Sequence, residues 1–562
     1  MSLTDSVVYQ IYPKSFRDST GDGVGDLRGI IEKVDYIASL GVDHVWFNPF
    51  FPSPGRDNGY DISDYCTIDP AMGTMEDFEN LVAALGERGI GVMLDMVLNH
   101  VSTDHEWFQR ALAGDPAYQD YFYLLPPKEN GSLPTNWVSK FGGPAWAPFG
   151  DTGLYYLCLY DRTQADLNWH NPAVRAQAAG VVNFWRSKGV KDFRFDVINV
   201  IGKTLPLEDA PADTDDRYMY TDGPLVHDYL RELSAASFGQ DPDAMTVGEM
   251  SSTTVEACVG YSNPANGELS MVFSFHHLKV DYADGAKWTR IPYDFAALKR
   301  ILNEWALGMQ AGGGWNALFW NNHDQPRAID RFADPVNYHV ESATMLATVI
   351  HLLRGTPYVY MGEEIGMTDP AYLSIEDYVD VEARNAYKEL TAGGMDPQEA
   401  FAVVHSKARD NARTPMQWTA EAPGAGFTSG RPWLRPTNQG AVNVECEESR
   451  GRILPYYRRL IALRKELPVI SRGTYAPYLM EHEDVLAYIR EHEGSRLLVL
   501  CSFSDHDAEV PVPEDFTTAR ILIGNYDGND LSRSPGELSV VADRLETGAL
   551  HLRPYEAIAL LA

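Results

Sequence analysis

Three carboxylates limit the chemistry this chain can perform: Asp196 in Arg194-Phe-Asp-Val197, Glu249 in Val247-Gly-Glu-Met250, and Asp324 in Asn321-Asn-His-Asp-Gln325. They lie 53 and 75 residues apart, and each ends a short apolar run. Asp95, His100, Arg194 and His323 stand at the ends of the same kind of run. If these ends meet in one pocket, several like charges share it at a cost in stability that catalysis readily explains. Two convergent carboxylates suit glycoside hydrolysis, in which one attacks the anomeric carbon and the other protonates the departing oxygen and later activates water. A metal site is the competing use of such acids. However, the two histidines lack an i, i+4 spacing, and Arg194 would repel a cation. In the run Gly189 to Asn199 the apolar Val190, Phe193, Phe195 and Val197 fall mainly on one parity, and Asp192, Arg194 and Asp196 on the other. A buried arginine two residues before a buried aspartate is expensive unless paired. Taken alone, this pair reads equally as a structural ion pair.

The elements that must hold these residues alternate strand and helix. Strands are predicted at 7–12, 42–47, 90–98, 189–199, 245–249, 271–275, 317–321 and 357–361, with helices at 27–40, 74–88 and 173–188 among those between them. Eight such units predict an α/β chain folded as a (β/α)8 TIM barrel, with its chemistry at the carboxyl ends of the strands. An open doubly wound sheet is the alternative, but no Gly-x-Gly-x-x-Gly turn opens a helix. Asp95 and Asp196 are about 100 residues apart where one βα unit needs about 30 to 50, so a segment is inserted between them.

The expected division is a first barrel part at 1–100, an inserted irregular domain at 101–168, a second barrel part at 169–472 and a C-terminal antiparallel β domain, a sandwich, at 473–562. A sub-insertion falls at about 362–430, at the catalytic face. The aromatics of the inserted domain are expected to form mostly its own core, with a minority stacking on sugar.

The net charge of −33 argues against nucleic acid or an anionic membrane as partner. The opening Met-Ser-Leu-Thr-Asp-Ser shows no basic stretch followed by an apolar core, and no run is long enough to span a membrane, so a cytoplasmic location is expected. Cys66, Cys158, Cys258, Cys446 and Cys501 are odd in number and scattered, which suggests neither a disulfide framework nor a zinc site.

Asp95-Met-Val-Leu-Asn-His100, Phe193-Arg-Phe-Asp-Val-Ile198, Val247-Gly-Glu-Met250 and Asn321-Asn-His-Asp324 resemble the four signature regions of the α-amylase superfamily, glycoside hydrolase family 13. Gln164-Ala-Asp-Leu-Asn168 resembles a fifth region, with Ala165 where proline is common, and the likeness runs from Tyr9-Gln-Ile-Tyr-Pro13 to the C-terminal domain. The resemblance implies Asp196 as nucleophile, Glu249 as general acid/base and Asp324 as transition-state stabiliser. It implies Tyr60, Asp61, His100, Arg194, His323 and Arg409 as holders of the non-reducing glucose. Val197 resembles the subgroup acting on α-1,6 or related small substrates. Ser139-Lys-Phe-Gly-Gly143, Thr163-Gln-Ala-Asp-Leu-Asn-Trp169, Gly248-Glu-Met-Ser-Ser-Thr-Thr254 and Phe275-His-His-Leu-Lys-Val-Asp-Tyr282 resemble the members that hydrolyse α,α-trehalose 6-phosphate. Members cleaving isomaltose-type α-1,6 sugars share the barrel and the three acids.

His276, His277, Lys279, Lys287 and Arg290 gather just past the sixth strand of a very acidic chain, where a phosphorylated sugar would need donors. A solvated loop balanced by Asp281 and Asp284 is the alternative. From these, His277, Lys279 and Lys287 are the candidate phosphate ligands. Catalysis is expected to need no cofactor. The stretch Asp18-Ser-Thr-Gly-Asp22-Gly23-Val-Gly-Asp26 spaces oxygen donors as a calcium loop begins, although Gly29 stands where an EF-hand has its glutamate. The resemblance implies a structural Ca2+ on Asp18, Thr20, Asp22, the carbonyl of Val24 and Asp26. Thr20 replaces the common asparagine, and a plain Asp/Gly turn is the other reading. The expected partner is a small phosphorylated disaccharide and the expected state a monomer. Two further classes are weighed: a catalytically dead barrel attached to a transporter, which lacks the acids, and a glucosyl-transferring isomerase, which shares the covalent intermediate.

Overall fold

The structure is a computed structural model that describes residues 3–526, 539–546 and 548–562. Eight strands, β1 (Val8–Ile11), β2 (His44–Phe47), β3 (Gly91–Met96), β4 (Asp192–Phe195), β5 (Thr246–Glu249), β6 (Met271–Phe273), β7 (Ala317–Leu318) and β8 (Thr356–Tyr360), pair in the order β6-β5-β4-β3-β2-β1-β8-β7. All pairings are parallel, and a parallel bridge from Val272 to Asn316 joins the two edges. The sheet is the expected (β/α)8 barrel. Its strands are covered on both faces, which is why β1 and β8 are buried at every residue rather than at alternate ones. Trp46, Phe273 and Tyr358 interlock inside, with ring centroids 4.7 to 6.1 Å apart.

Local sequence sets the elements around the barrel. Thr74 and Asp77 form a capping box at the start of helix Met75–Gly86, and Asn171 with Pro172 at the first position opens helix Pro172–Ser187. Two expectations change. The helix predicted at 27–40 is two helices, Leu27–Ile31 and Val34–Leu40, because the backbone opens at Lys33, whose ammonium lies 4.3 Å from the Trp418 ring centroid. The run predicted at 189–199 is a strand only at Asp192–Phe195, because Val197 takes a left-handed backbone (φ 37°, ψ 40°) and turns the chain.

Between β3 and β4 lie short helices and strands around an aromatic core that includes Phe108, Phe122, Phe149 and Tyr156. After β8 come helices Val381–Ala392 and Pro397–His405. At the C-terminus, five antiparallel strands, Thr474–Tyr478, Val485–His492, Ser495–Ser502, Ala557–Leu561 and Arg520–Gly524, form one sheet. It packs on a smaller sheet through Val485, Leu498, Leu500, Val510, Leu550 and Ile558. The five cysteines are free thiols. Among the described residues no helix is long and apolar enough to cross a membrane.

Candidate active site

Parallel register brings the charges together. Asp95 on β3 is paired with Arg194 on β4, Val247 on β5 is paired with the same arginine, and Glu249 follows two residues on, on the same face. Arg194 is 1% exposed. Its Nη1 donates to Asp95 Oδ1 at 2.6 Å and to Asp196 Oδ1 at 2.7 Å, while Nη2 bonds Glu249 Oε2. One guanidinium fork therefore touches three carboxylates and holds two of them within its own span. Trp46 Nε1 and Tyr60 Oη donate to the other oxygen of Asp95, at 3.3 and 2.8 Å. Burial pushes the Asp95 carboxyl up to about 7, against the pull of Arg194. Truncating one partner of a buried ion set leaves the others uncompensated, at about 3–5 kcal/mol. Arg194→Met is accordingly expected to lower unfolding free energy by about that amount in urea titration. A loss under 1 kcal/mol would show that the carboxylates find other partners.

Asp324 lies at the opposite charge balance. Its Oδ2 is 3.0 Å from His323 Nε2, and its Oδ1 accepts from Arg413 Nη2 at 2.9 Å and Arg409 Nη1 at 3.4 Å. Burial alone would raise this carboxyl, but His323 and the two arginines outweigh it and hold it well below the usual range. His323 is fully buried. Its ring stacks on Tyr60 at 5.1 Å and 3°, and its Nδ1 is met by Gln10 and Asn48 at 3.1 and 3.0 Å. His100 is set by Asn99 on one ring nitrogen and Gln164 on the other, both at 3.2 Å. Burial lowers the proton affinity of His100.

These groups open into a cavity of about 510 Å3, lined among others by Tyr60, His100, Asp196, Val197, Glu249, Lys279, Lys287, Asp324 and Arg409. Asp61 does not reach it. Its carboxylate is spent on Ser53 Oγ and the backbone N–H groups of Arg56 and Asp57, bracing the loop from within. Asp57 occupies the wall instead, bonded to Arg409 Nη2 at 3.0 Å and Gln164 Nε2 at 3.1 Å, and burial pushes its carboxyl up to about 7 against Arg409 and Arg413. His277 is likewise turned away, its Nε2 on the carbonyl of Phe319 at 2.9 Å, and burial pushes it down to about 4. Lys287 is in the wall but paired with Glu382 at 2.7 Å, and Arg290 is exposed. Of the inserted segment's aromatics, Phe141 and Tyr160 line the cavity, while Phe108, Phe122, Phe149 and Tyr156 build its core.

Sequence reasoning missed the strongest basic feature. Lys140, Arg217 and Lys279 come from three separate segments to one part of this wall. Burial first, then the charge of Arg217, lowers the proton affinity of Lys140, to about 7, and of Lys279, and the charge of Lys279 adds to the effect on Lys140. Among the described residues no carboxylate pairs with either lysine, whereas Arg217 is bonded by Asp215 at 2.7 Å. Arg217 directly follows the acidic run Asp213-Thr-Asp-Asp216, and Lys140 lies in the stretch Ser139-Lys-Phe-Gly-Gly143, which carries a resemblance as a whole and gives its lysine no role.

At the loop 18–26, Asp18 accepts from the N–H groups of Thr20, Gly21 and Gly23 and from Thr428 Oγ1, and Asp26 from Ser19 and Gly29. Asp22 accepts from Val24. Among the described residues no three acids, histidines or cysteines gather as metal ligands.

Residues 10–473 match the α-amylase catalytic domain. The chain is 47% identical over 560 residues to the trehalose-6-phosphate hydrolase of Bacillus subtilis (strain 168), covering 98% of this chain and 97% of that protein. It is 43% identical over 565 residues to an oligo-1,6-glucosidase of Parageobacillus thermoglucosidasius, covering 98% and 97%. The crystal structure of Bacillus licheniformis trehalose-6-phosphate hydrolase superposes with a TM-score of 0.92 at 46% identity, covering 100% and 99% of the two chains.

Proposed function

Because the chain belongs to the α-amylase family, glycoside hydrolase family 13, we infer that it is a retaining α-glucoside hydrolase that cleaves α,α-trehalose 6-phosphate to glucose and glucose 6-phosphate. The observation that carries the phosphorylated substrate is the cluster of Lys140, Arg217 and Lys279 in the same cavity as the three acids, in a chain of net charge −33. A dianion offsets three crowded cations, whereas a neutral sugar leaves them uncompensated.

The chemistry proposed for the site is double displacement. Asp196 attacks the anomeric carbon while Glu249 protonates the bridging oxygen, and Glu249 then activates the water that frees the glucose. A fork that bonds both carboxylates suits the separation of about 5–5.5 Å typical of retaining enzymes, not the roughly 6.5–9.5 Å of inverting ones. Arg194, through its Nη1 bond to Oδ1, aims the Asp196 carboxylate. Asp324, held anionic by His323, Arg409 and Arg413, faces the positive charge that develops on the sugar. Tyr60, His100, Asp57 and Arg409 would grip the non-reducing glucose, and Lys140, Arg217 and Lys279 the phosphate of the departing unit.

Offered trehalose 6-phosphate and isomaltose separately, the protein is expected to release glucose 6-phosphate from the first far faster than glucose from the second. The reverse ranking would make it an oligo-1,6-glucosidase. A transferring isomerase would instead return a rearranged disaccharide.

The division into barrel, inserted and C-terminal domains at the boundaries given above, a cytoplasmic location and a monomeric state belong to the same proposal. So does a Ca2+ in the loop 18–26, on donor chemistry alone: Asp18, Thr20, Asp22, the Val24 carbonyl and Asp26 offer the oxygens a hard cation takes. There Asp18 and Asp26 would exchange loop donors for the ion, and no step of the reaction passes through it. Calcium added to EDTA-treated protein is expected to raise Tm with kcat unchanged; an unchanged Tm removes the metal.

A further inference from the structure

Two backbone positions beside the catalytic acids are strained. Val197, directly after Asp196, has φ 37°, and Ser252, three residues after Glu249, has φ 49°. Such conformations cost of order 1–3 kcal/mol and persist only where surrounding contacts over-determine them. One side chain bridges the two turns that carry these positions. Asn199, three residues past Asp196 and fully buried, accepts the Ser251 N–H on Oδ1 at 2.9 Å and donates from Nδ2 to the Ser251 carbonyl at 2.8 Å. Its Nδ2 also reaches Asp222 Oδ1 at 2.9 Å, an oxygen that Tyr261 Oη bonds at 2.8 Å. The amide thus ties the turn after the nucleophile to the turn after the acid/base. The remaining polar group of Ser251, its hydroxyl, is bonded by Lys140 Nζ, which belongs to the cation cluster.

We propose that the phosphate seat governs turnover as well as affinity, because Lys140, Ser251 and Asn199 form a relay that locks the Glu249 and Asp196 turns in place when the seat is filled. The proposal rests on the phosphorylated-disaccharide reading. With the seat empty, Lys140 is buried beside Arg217 and Lys279, and its pull-down to about 7 leaves it partly as a neutral amine, a weaker donor to Ser251. A bound phosphate dianion restores the ammonium, whose three N–H groups can serve phosphate and Ser251 together. Binding energy from the non-reacting end of the substrate is then spent on holding the strained acid/base turn in its productive shape.

The test separates the phosphate from the sugar. Hydrolysis of unphosphorylated trehalose is followed with and without inorganic phosphite, a dianion that can enter the seat alone. Phosphite is expected to raise kcat/KM for trehalose at least about tenfold in the wild type. In Ser251→Ala that activation should fall at least fivefold, with the ratio of kcat on trehalose 6-phosphate to kcat on an aryl α-glucoside falling about tenfold. Ser251→Thr, which keeps the hydroxyl, should restore both. The relay is overturned if phosphite fails to activate, or if Ser251→Ala raises KM for trehalose 6-phosphate and leaves the kcat ratio unchanged. Should the protein not hydrolyse trehalose 6-phosphate at all, the functional reading fails instead, and that result is read before any variant is made.

Discussion

Asp196→Asn lowers kcat by about 10⁴-fold or more on phosphorylated and neutral α-glucosides alike, while Tm stays within a few degrees of the parent. The size follows from the proposed role, since removing an attacking group removes the covalent path itself, and such losses in hydrolases are about 10⁴ to 10⁶. The preserved Tm follows from the contacts. Arg194 Nη1 donates to Asp196 Oδ1, a bond that an amide oxygen keeps, and the partners of Arg194 on Asp95 and Glu249 remain. Steady-state kinetics with an aryl α-glucoside bearing a good leaving group check the assignment further. In Asp196→Gly, added azide is expected to restore turnover by taking the vacated place and yielding the β-glucosyl azide. A variant that keeps a tenth of its activity would remove Asp196 as nucleophile.

Replacing a cation of the cluster produces the second large effect, on selectivity. Lys279→Ala and Arg217→Ala are each expected to raise KM for trehalose 6-phosphate by roughly 10- to 100-fold, the worth of one charge-assisted hydrogen bond of about 1.5–3 kcal/mol. KM for an uncharged aryl α-glucoside should move less than threefold. His277→Ala should leave this selectivity alone, because its ring bonds the Phe319 carbonyl outside the cavity. The pH profile gives the sign. Lys140 is charged below about 7 and neutral above it, while a sugar phosphate becomes dianionic near pH 6. The advantage of the phosphorylated substrate in kcat/KM should therefore be greatest between about pH 6 and 7 and shrink above pH 8. Burial of Lys140 first, then the charges of Arg217, Lys279, Asp216 and Asp166, set where that fall occurs. A profile flat from pH 6 to 9, with equal KM changes on both substrates, would place the phosphate elsewhere.

The barrel and its three acids were legible in the sequence for one physical reason: strand ends of a parallel barrel converge, so acids closing successive apolar runs must meet. Strand limits were read too long at 189–199 because periodicity is blind to the left-handed turn at Val197. Side-chain direction in loops was the harder matter. Asp61 and Asp57 stand four residues apart, and nothing in their spacing tells which faces the cavity and which accepts N–H groups from its own loop. The cation cluster was beyond reach for a related reason. Lys140, Arg217 and Lys279 are separated by 77 and 62 residues and meet only through tertiary folding, whereas the local gathering at residues 276–290 contributes Lys279 but turns His277 inward and pairs Lys287 with Glu382.

Proton NMR of the first turnovers on α,α-trehalose 6-phosphate is the most direct test of the reaction proposed. The glucose freed from the glycosyl position should appear first as the α anomer, in equal amount with glucose 6-phosphate, before mutarotation mixes the signals. Glucose appearing first as the β anomer would contradict double displacement through Asp196, and no glucose 6-phosphate at all would contradict the substrate.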